Sequence, residues 1–230
     1  MHNEQRLNGF GTLKAIFFHM DGVIYDSMGN HSVAWSKAFA ALGLNFPLEQ
    51  VYMNEGRTGA STVQMFFQEK LGRRATEEEI SFIYDHKSQF FEAMPAPVPI
   101  VGIKSLMERL SSEGIDIWVV TGSAQELLLD GLCSDFLGLV QKEKIVSAKD
   151  VRNGKPHPEP YQMALRKSGF GADEVLVIEN APLGVESAKA AGIFTLCINT
   201  GILADEILWQ SGADVVVKEV VEVERIIFEE

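Results

Sequence analysis

Two hydrophobic periods alternate along the chain. Residues 15–18, AIFF, form an uninterrupted apolar run that stops at HMDGVIYDS, as a strand buried on both faces does when it reaches the edge of its sheet. The period then becomes helical. Trp35, Phe39 and Leu42 recur at i, i+4 and i+7 with Gly43 as a stop, and Val63, Phe66, Phe67 and Leu71 make a second stripe ended by Gly72. Thr76 with Glu79 spells a capping box that opens a third segment through Ile80, Ile83 and Tyr84. The run MPAPVP, residues 94–99, cannot continue a helix and predicts a linker. Beyond it come a helix near 103–110, a strand over 115–120, a helix around 161–167, a strand over 175–178, a helix around 183–191 ended by Gly192, and a strand over 193–198.

This rhythm predicts an α/β protein, a doubly wound parallel sheet of Rossmann-like type with a helical cap inserted after the first strand. The expected divisions are residues 1–28 for the first part of the core, with 1–11 as a flexible tail, 29–96 for the cap, and 97–230 for the rest of the core. There is no internal repeat or low-complexity tract, and the acidic run 77–79 reads as a solvated first turn.

At 230 residues and 46% hydrophobic content the chain can bury a full core. A net charge of −12 argues against a nucleic-acid groove or an anionic membrane surface, while leaving room for a local basic pocket that holds a small anion. The first eleven residues lack the basic flank and apolar stretch of a signal peptide, and no run is long enough to span a bilayer. A cytoplasmic monomer acting on a small molecule is the expectation. Cys133 and Cys197 have no CxxC partner, and Cys197 lies inside the apolar run FTLCIN as a buried thiol would. His2, His31, His86 and His157 show no metal-ligand spacing and read as structural or solvated. The absence of GxxxxGK[ST], GxSxG and a strand-borne GxGxxG removes the P-loop, serine-hydrolase and dinucleotide readings.

Four loops at strand ends carry chemistry. The first holds His19, Asp21 and Gly22. The second, after the strand ending at Val120, offers Thr121, Gly122 and Ser123, a hydroxyl and turning backbone amides suited to phosphate oxygens or simply to a turn. The third holds Lys155 in GKPHPEPY, where prolines stiffen the loop around a point charge. The fourth, after VLVI, holds Glu179 and Asn180, oxygen donors for a hard cation or a helix cap.

In this order the loops resemble the four motifs of the haloacid dehalogenase superfamily across nearly the whole chain. GKPHPEPYQMAL and VIENAPLGVESAKAAG are similar to its β-phosphoglucomutase-like subfamily, and the inserted helices to its type-one cap. The resemblance implies that Thr121 and Lys155 bind the transferring phosphoryl group and that Asp21 moves the proton as general acid and base. It also implies that Glu179, Asn180 and the backbone carbonyl of Asp21 hold magnesium, and that Asp26 and Ser27 lie on a flap facing the cap. Gly22 allows the tight turn. The phosphoryl-transfer chemistry needs such groups for positioning, charge neutralisation and proton movement.

His19 departs from the pattern. It stands where the motif Asp-x-Asp-Gly-Val has the nucleophile, which is also a metal ligand. Imidazole is a poor partner for magnesium and leaves no second oxygen for it, so both covalent chemistry and metal affinity are expected to suffer. In the cap, YMNEGRTGAST places Glu55 and Gly59 where the mutases carry a lysine and an arginine. That loop resembles instead the inorganic pyrophosphatase-like members, in which the cap glutamate reaches the metal, and Arg57 becomes a candidate for a second phosphate or a surface charge. The implied protein is a magnesium-dependent phosphohydrolase scaffold of pyrophosphatase type, impaired by His19. A β-phosphoglucomutase or sugar-phosphate phosphatase is the alternative within the superfamily, and a non-catalytic phosphate binder the alternative outside enzymes.

Overall fold

In the computed structural model, which describes residues 13–123 and 126–229, the first apolar run becomes β1 (Ala15–Phe18), buried along its whole length. β1 pairs in parallel with β4 (Asp116–Val120) on one side and β6 (Val175–Glu179) on the other. β5 (Ile145–Val146) extends the sheet beyond β4, and β7 (Phe194–Ile198) and β8 (Val215–Val217) extend it beyond β6, giving the order β5-β4-β1-β6-β7-β8.

Alternation along the strands divides the core into two layers. Ile16 and Phe18 join Ile117, Val119, Leu176 and Ile178 on one face, covered by α5 (Ile103–Ser112), α6 (Glu126–Asp135) and α10 (Val220–Phe228). Ala15 and Phe17 join Trp118, Val120 and Val177 on the other, covered by α7 (Glu159–Ser168) and α8 (Pro182–Ala190). A strand apolar at consecutive positions is explained by this two-sided cover, each buried Phe contributing about 1.5–3 kcal/mol. α9 (Asp205–Gln210) packs through Leu208 beside Val185 and Cys197, whose thiol is buried as expected.

Between β1 and β4 the chain leaves the sheet through β2 (Tyr25–Asp26) and returns through β3 (Val98–Pro99), the two pairing as a short antiparallel ribbon. The intervening residues form α1 (Met28–Ala40), α2 (Leu48–Met53), α3 (Gly59–Leu71) and α4 (Glu77–Glu92). Trp35, Phe39, Phe46, Val63, Phe66 and Phe67 build a separate core, with Phe39 stacked on Phe46 at 4.6 Å between ring centres. Gly72 ends α3 in the left-handed conformation, and Thr76 and Glu79 form the reciprocal capping box of α4. One correction concerns the proline-rich linker: part of it is β3, too short at two residues to show a period. β2, α2, β5, α6, β8, α9 and α10 have no counterpart in the sequence reading. The expected tail, residues 1–11, lies outside the described residues. Among the described residues no helix is long and apolar enough to cross a membrane.

Candidate active site

The carboxyl ends of β1, β4 and β6 meet at one edge of the sheet, where doubly wound folds hold ligands. His19 and Asp21 follow β1, Thr121 follows β4, Lys155 enters from the segment between β5 and α7, and Glu179 with Asn180 closes β6. From the cap, the turn between α2 and α3 lowers Glu55 into the same cluster. His19, Asp21, Glu55, Thr121, Lys155, Glu179 and Asn180 are all less than a tenth exposed, so the structure brings together residues up to 161 positions apart in sequence.

Ser27 shows how the local sequence serves the site. It occupies the N-cap of α1, yet its hydroxyl caps nothing in the helix and donates to Asp21 Oδ1 at 2.7 Å. Forgoing the cap costs the helix about 1 kcal/mol, in exchange for a fixed carboxylate. Gly22 has φ +74°, and a Cβ there would lie 2.0 Å from Asn180 Nδ2, so both backbone and space exclude a side chain. Gly122 touches the cap: a Cβ would come within 2.6 Å of the Gly56 carbonyl oxygen.

His19 lies at the centre. Its Nε2 is 3.1 Å from Glu55 Oε1, and its Nδ1 is 3.2 Å from the Val120 carbonyl and 3.1 Å from Lys155 Nζ. Lys155 donates to Glu179 Oε1 at 2.5 Å, which also accepts from Tyr161 at 2.6 Å, while Glu179 Oε2 accepts the Asn180 backbone N–H at 3.1 Å. Asn180 Nδ2 donates to both oxygens of Glu55 at 3.3 Å. Thr121 Oγ1 accepts the Ser123 N–H at 3.1 Å, shaping its own turn.

The electrostatics follow from these contacts. Burial works against the Glu179 carboxylate, but His19, Lys155 and Tyr161 overcome it and hold its pKa down at about 2. Burial pushes Glu55 up to about 7, against the opposing pull of His19. Asp21 is held well below the usual carboxylate range, because His31 and Ser27 outweigh its burial. Burial lowers the His19 pKa, yet Glu179 and Glu55 outweigh it and the proximity of Lys155, leaving it raised.

These residues do not fit magnesium as they stand. Both candidate carboxylates are engaged by protein donors, position 19 supplies a ring nitrogen, and Asn180 Oδ1 is left as a lone buried oxygen without a partner. Among the described residues, no three His, Cys, Asp or Glu side chains are disposed to hold a metal together.

Between the cluster and the cap lies a cavity of about 70 Å³, room for a few waters or one small polyanion. Arg57 and Ser123 line it, with Arg57 half-buried and held by Asn54 and Ser61. Asp26 does not line it: its side chain is exposed on β2, in the ribbon through which the chain leaves the sheet for the cap. Two residues that the sequence reading missed do line it. His31, read as an ordinary histidine, has Nε2 3.0 Å from Asp21 Oδ1 and stacks on Phe91. Lys87 is 4% exposed and sets its ammonium over the rings of Phe91 at 4.9 Å, Trp35 at 5.8 Å and Tyr84 at 6.0 Å. The signal for Lys87 was its place on the apolar face of α4, three residues after Tyr84, where a solvated lysine does not belong.

A six-stranded parallel sheet flanked by helices, with hydroxyl, lysine, carboxylate and amide groups gathered at its strand ends under a helical cap, defines a Rossmann-like α/β protein whose function resides in that site. The haloacid dehalogenase-like hydrolase family model matches residues 16–198, and the chain belongs to that family. A validoxylamine A 7'-phosphate phosphatase from Streptomyces hygroscopicus subsp. limoneus is 26% identical over 211 residues, 91% of this chain and 95% of the relative. The pyrophosphatase PpaX of Oceanobacillus iheyensis is 22% identical over 217 residues, 94% of this chain and 97% of the relative. A solved structure from Bacteroides vulgatus, provisionally described as a β-phosphoglucomutase, superposes with a TM-score of 0.87 at 46% identity, covering 90% of this chain and 84% of that one.

Proposed function

We propose that this chain is a phosphohydrolase scaffold of inorganic pyrophosphatase type, with turnover impaired by His19. The observation that carries this reading is the cavity itself: it is small, and the cap sets Lys87, Arg57 and His31 around it. The Lys87 and Arg57 cations, with His31 as a polar neighbour whose pKa burial lowers, suit a second phosphate carried by the leaving group, and the volume suits diphosphate better than a sugar bisphosphate. In this reading residues 29–96 act as the cap over a core formed by 1–28 and 97–230. Thr121, Ser123 and Lys155 receive the transferring phosphoryl group, and Asp21, oriented by Ser27 and His31, handles the proton. Magnesium dependence belongs to the protein with a carboxylate restored at position 19, together with Asn180 and Glu179. A cytoplasmic location and a monomeric state go with this reading.

The mutase is the second reading, favoured by the 46% identical structure. Against it stands position 59, where even a Cβ would lie 2.1 Å from the Tyr84 ring, leaving no room for an arginine. The deciding experiment is a phosphate-release screen of this chain beside His19→Asp, with magnesium, over pyrophosphate, sugar phosphates and phosphoglycolate. Pyrophosphate should be the best substrate of His19→Asp, and this chain at least about a thousandfold slower, the scale of losing a nucleophile while binding survives. Equal rates would refute the impairment. Conversion of β-glucose 1-phosphate to glucose 6-phosphate by His19→Asp with little pyrophosphate hydrolysis would restore the mutase.

A further inference from the structure

The His19 ring is a junction. Asn180 Nδ2 donates to both Glu55 oxygens, and with Glu55 ionised the nitrogen facing it, His19 Nε2, carries its hydrogen whether or not the ring is charged. On the other side Nδ1 meets Lys155 Nζ and the Val120 carbonyl. One side chain therefore ties the cap turn to the end of β4 and to the loop that carries Lys155.

The same contacts occupy three of the roughly four acceptor sites on each carboxylate that a divalent cation would need. Glu179 is taken by Lys155, Tyr161 and the Asn180 N–H, and Glu55 by His19 and Asn180. Entry of a cation would separate Lys155 from Glu179, a pair whose side chains are 1% and 0% exposed, and would strand the ammonium without its partner. Among the buried side-chain atoms of the described residues, the one without a partner is Asn180 Oδ1, a neutral oxygen, where a hard cation prefers several oxygens with charge among them. The cavity beside this cluster is lined by Arg57, Lys87 and His31 together with Asp21 and Glu55; Ser27 and His31 engage the first carboxylate and His19 and Asn180 the second, and Arg57 and Lys87 are the charged donors that face an oxyanion without a metal.

We propose that in this chain the His19 ring replaces the divalent cation as the link between cap and core, so that the site takes a small inorganic oxyanion, phosphate or diphosphate, without a metal. The oxyanion part rests on the phosphate-site reading above. The metal part rests on the hydrogen-bond geometry alone.

Calorimetric titration with inorganic phosphate, in EDTA and in millimolar magnesium, tests it on this chain, His19→Asp and His19→Asn. This chain should bind phosphate equally in the two buffers, within about twofold. His19→Asp should bind at least about tenfold more tightly with magnesium than with EDTA, because metal and anion then share the site. His19→Asn, whose amide is too short to reach both Glu55 and the core, should lose about tenfold in both buffers, and it decides the matter if His19→Asp does not fold. Manganese resonance spectra of the phosphate-free proteins give a second readout, with an ion bound at the site in His19→Asp and none coupled to a histidine nitrogen in this chain. Phosphate binding by this chain that requires magnesium, or that is absent from both buffers, overturns the proposal. So does a manganese ion coupled to His19, or phosphate binding by His19→Asp that ignores magnesium. Failure of His19→Asp to hydrolyse pyrophosphate would count against the proposed function only, since no titration depends on turnover.

Discussion

Replacing Lys87 by methionine should make the protein more stable and its site weaker. Lys87 is 4% exposed on α4, and its ammonium rests on the rings of Phe91, Trp35 and Tyr84 rather than on a carboxylate. Burial pushes its pKa from 10.5 down to about 8, with Asp21 and Glu92 offering partial support from a distance. A drop of that size is worth ~3 kcal/mol of cost for holding the cation in the fold. The ring contacts return about 0.5–2 kcal/mol, which is lost with the charge. Methionine keeps the volume and a favourable contact with the rings. The balance is a gain of about 1–2 kcal/mol at neutral pH, readable as a higher urea midpoint with an unchanged slope.

The sign of the pH dependence follows from linkage. Below pH 8 folded and unfolded chains both carry the proton on Lys87, and the cost is present in full. As pH rises from about 8 towards 10.5, the folded chain gives up the proton first and the cost is relieved, so the advantage of Lys87→Met should shrink across that window. The same variant should lose about tenfold or more in phosphate affinity, the scale of one charged hydrogen bond at a buried site. A variant that is less stable at pH 7, a stability gap that ignores pH, or an unchanged phosphate affinity would each refute the view of Lys87 as a cation kept in place for an anion.

Three further outcomes are expected. Gly122→Ala puts a Cβ 2.6 Å from the Gly56 carbonyl oxygen, so the cap turn must lift; phosphate affinity should fall about tenfold while the melting temperature moves little, because the contact joins two separate cores. Tyr161→Phe removes a donor from the fully buried Glu179 and should cost about 1–3 kcal/mol in chemical denaturation, with a neutral effect counting against the role given to that network. In the His19→Asp background, Glu55→Ala should reduce pyrophosphate hydrolysis more than that of small organic phosphates, and an equal loss for both would mean that Glu55 only shapes the cap.

The core was legible because its signals are local and repeated. AIFF, DIWVV, VLVIE and FTLCI are apolar on both faces, and each is followed by a polar loop, so the order of strands and the chemistry at their ends could be read together. The elements that were missed carry weaker patterns. β3 and β5 are two residues each, α2 has six, and the stretch holding β8 and α10, VVVKEVVEVERIIF, lets strand and helix periods run into one another. Glu55 and Arg57 were found through the resemblance of a loop, since nothing in the residue pattern around them states that the turn descends onto the core.

His31 and Lys87 escaped for a different reason, which concerns charge. The chain's net charge of −12 belongs to its surface and says nothing about a cavity that gathers His19, His31, Arg57 and Lys87. A buried cation is visible in sequence only as an intruder on an apolar helix face, and α4 presents one: Lys87 follows Ile80, Ile83 and Tyr84 along the stripe that faces the cap core. His31 lies four residues before Trp35 on the matching face of α1, with Asp21 beneath it. Selection for stability alone would have placed apolar side chains at both positions, as it did at Trp35 and Ile83. What the two positions supply instead is polarity inside the cavity: Lys87 brings a buried ammonium, and His31, whose burial lowers its pKa, brings a ring nitrogen that holds Asp21.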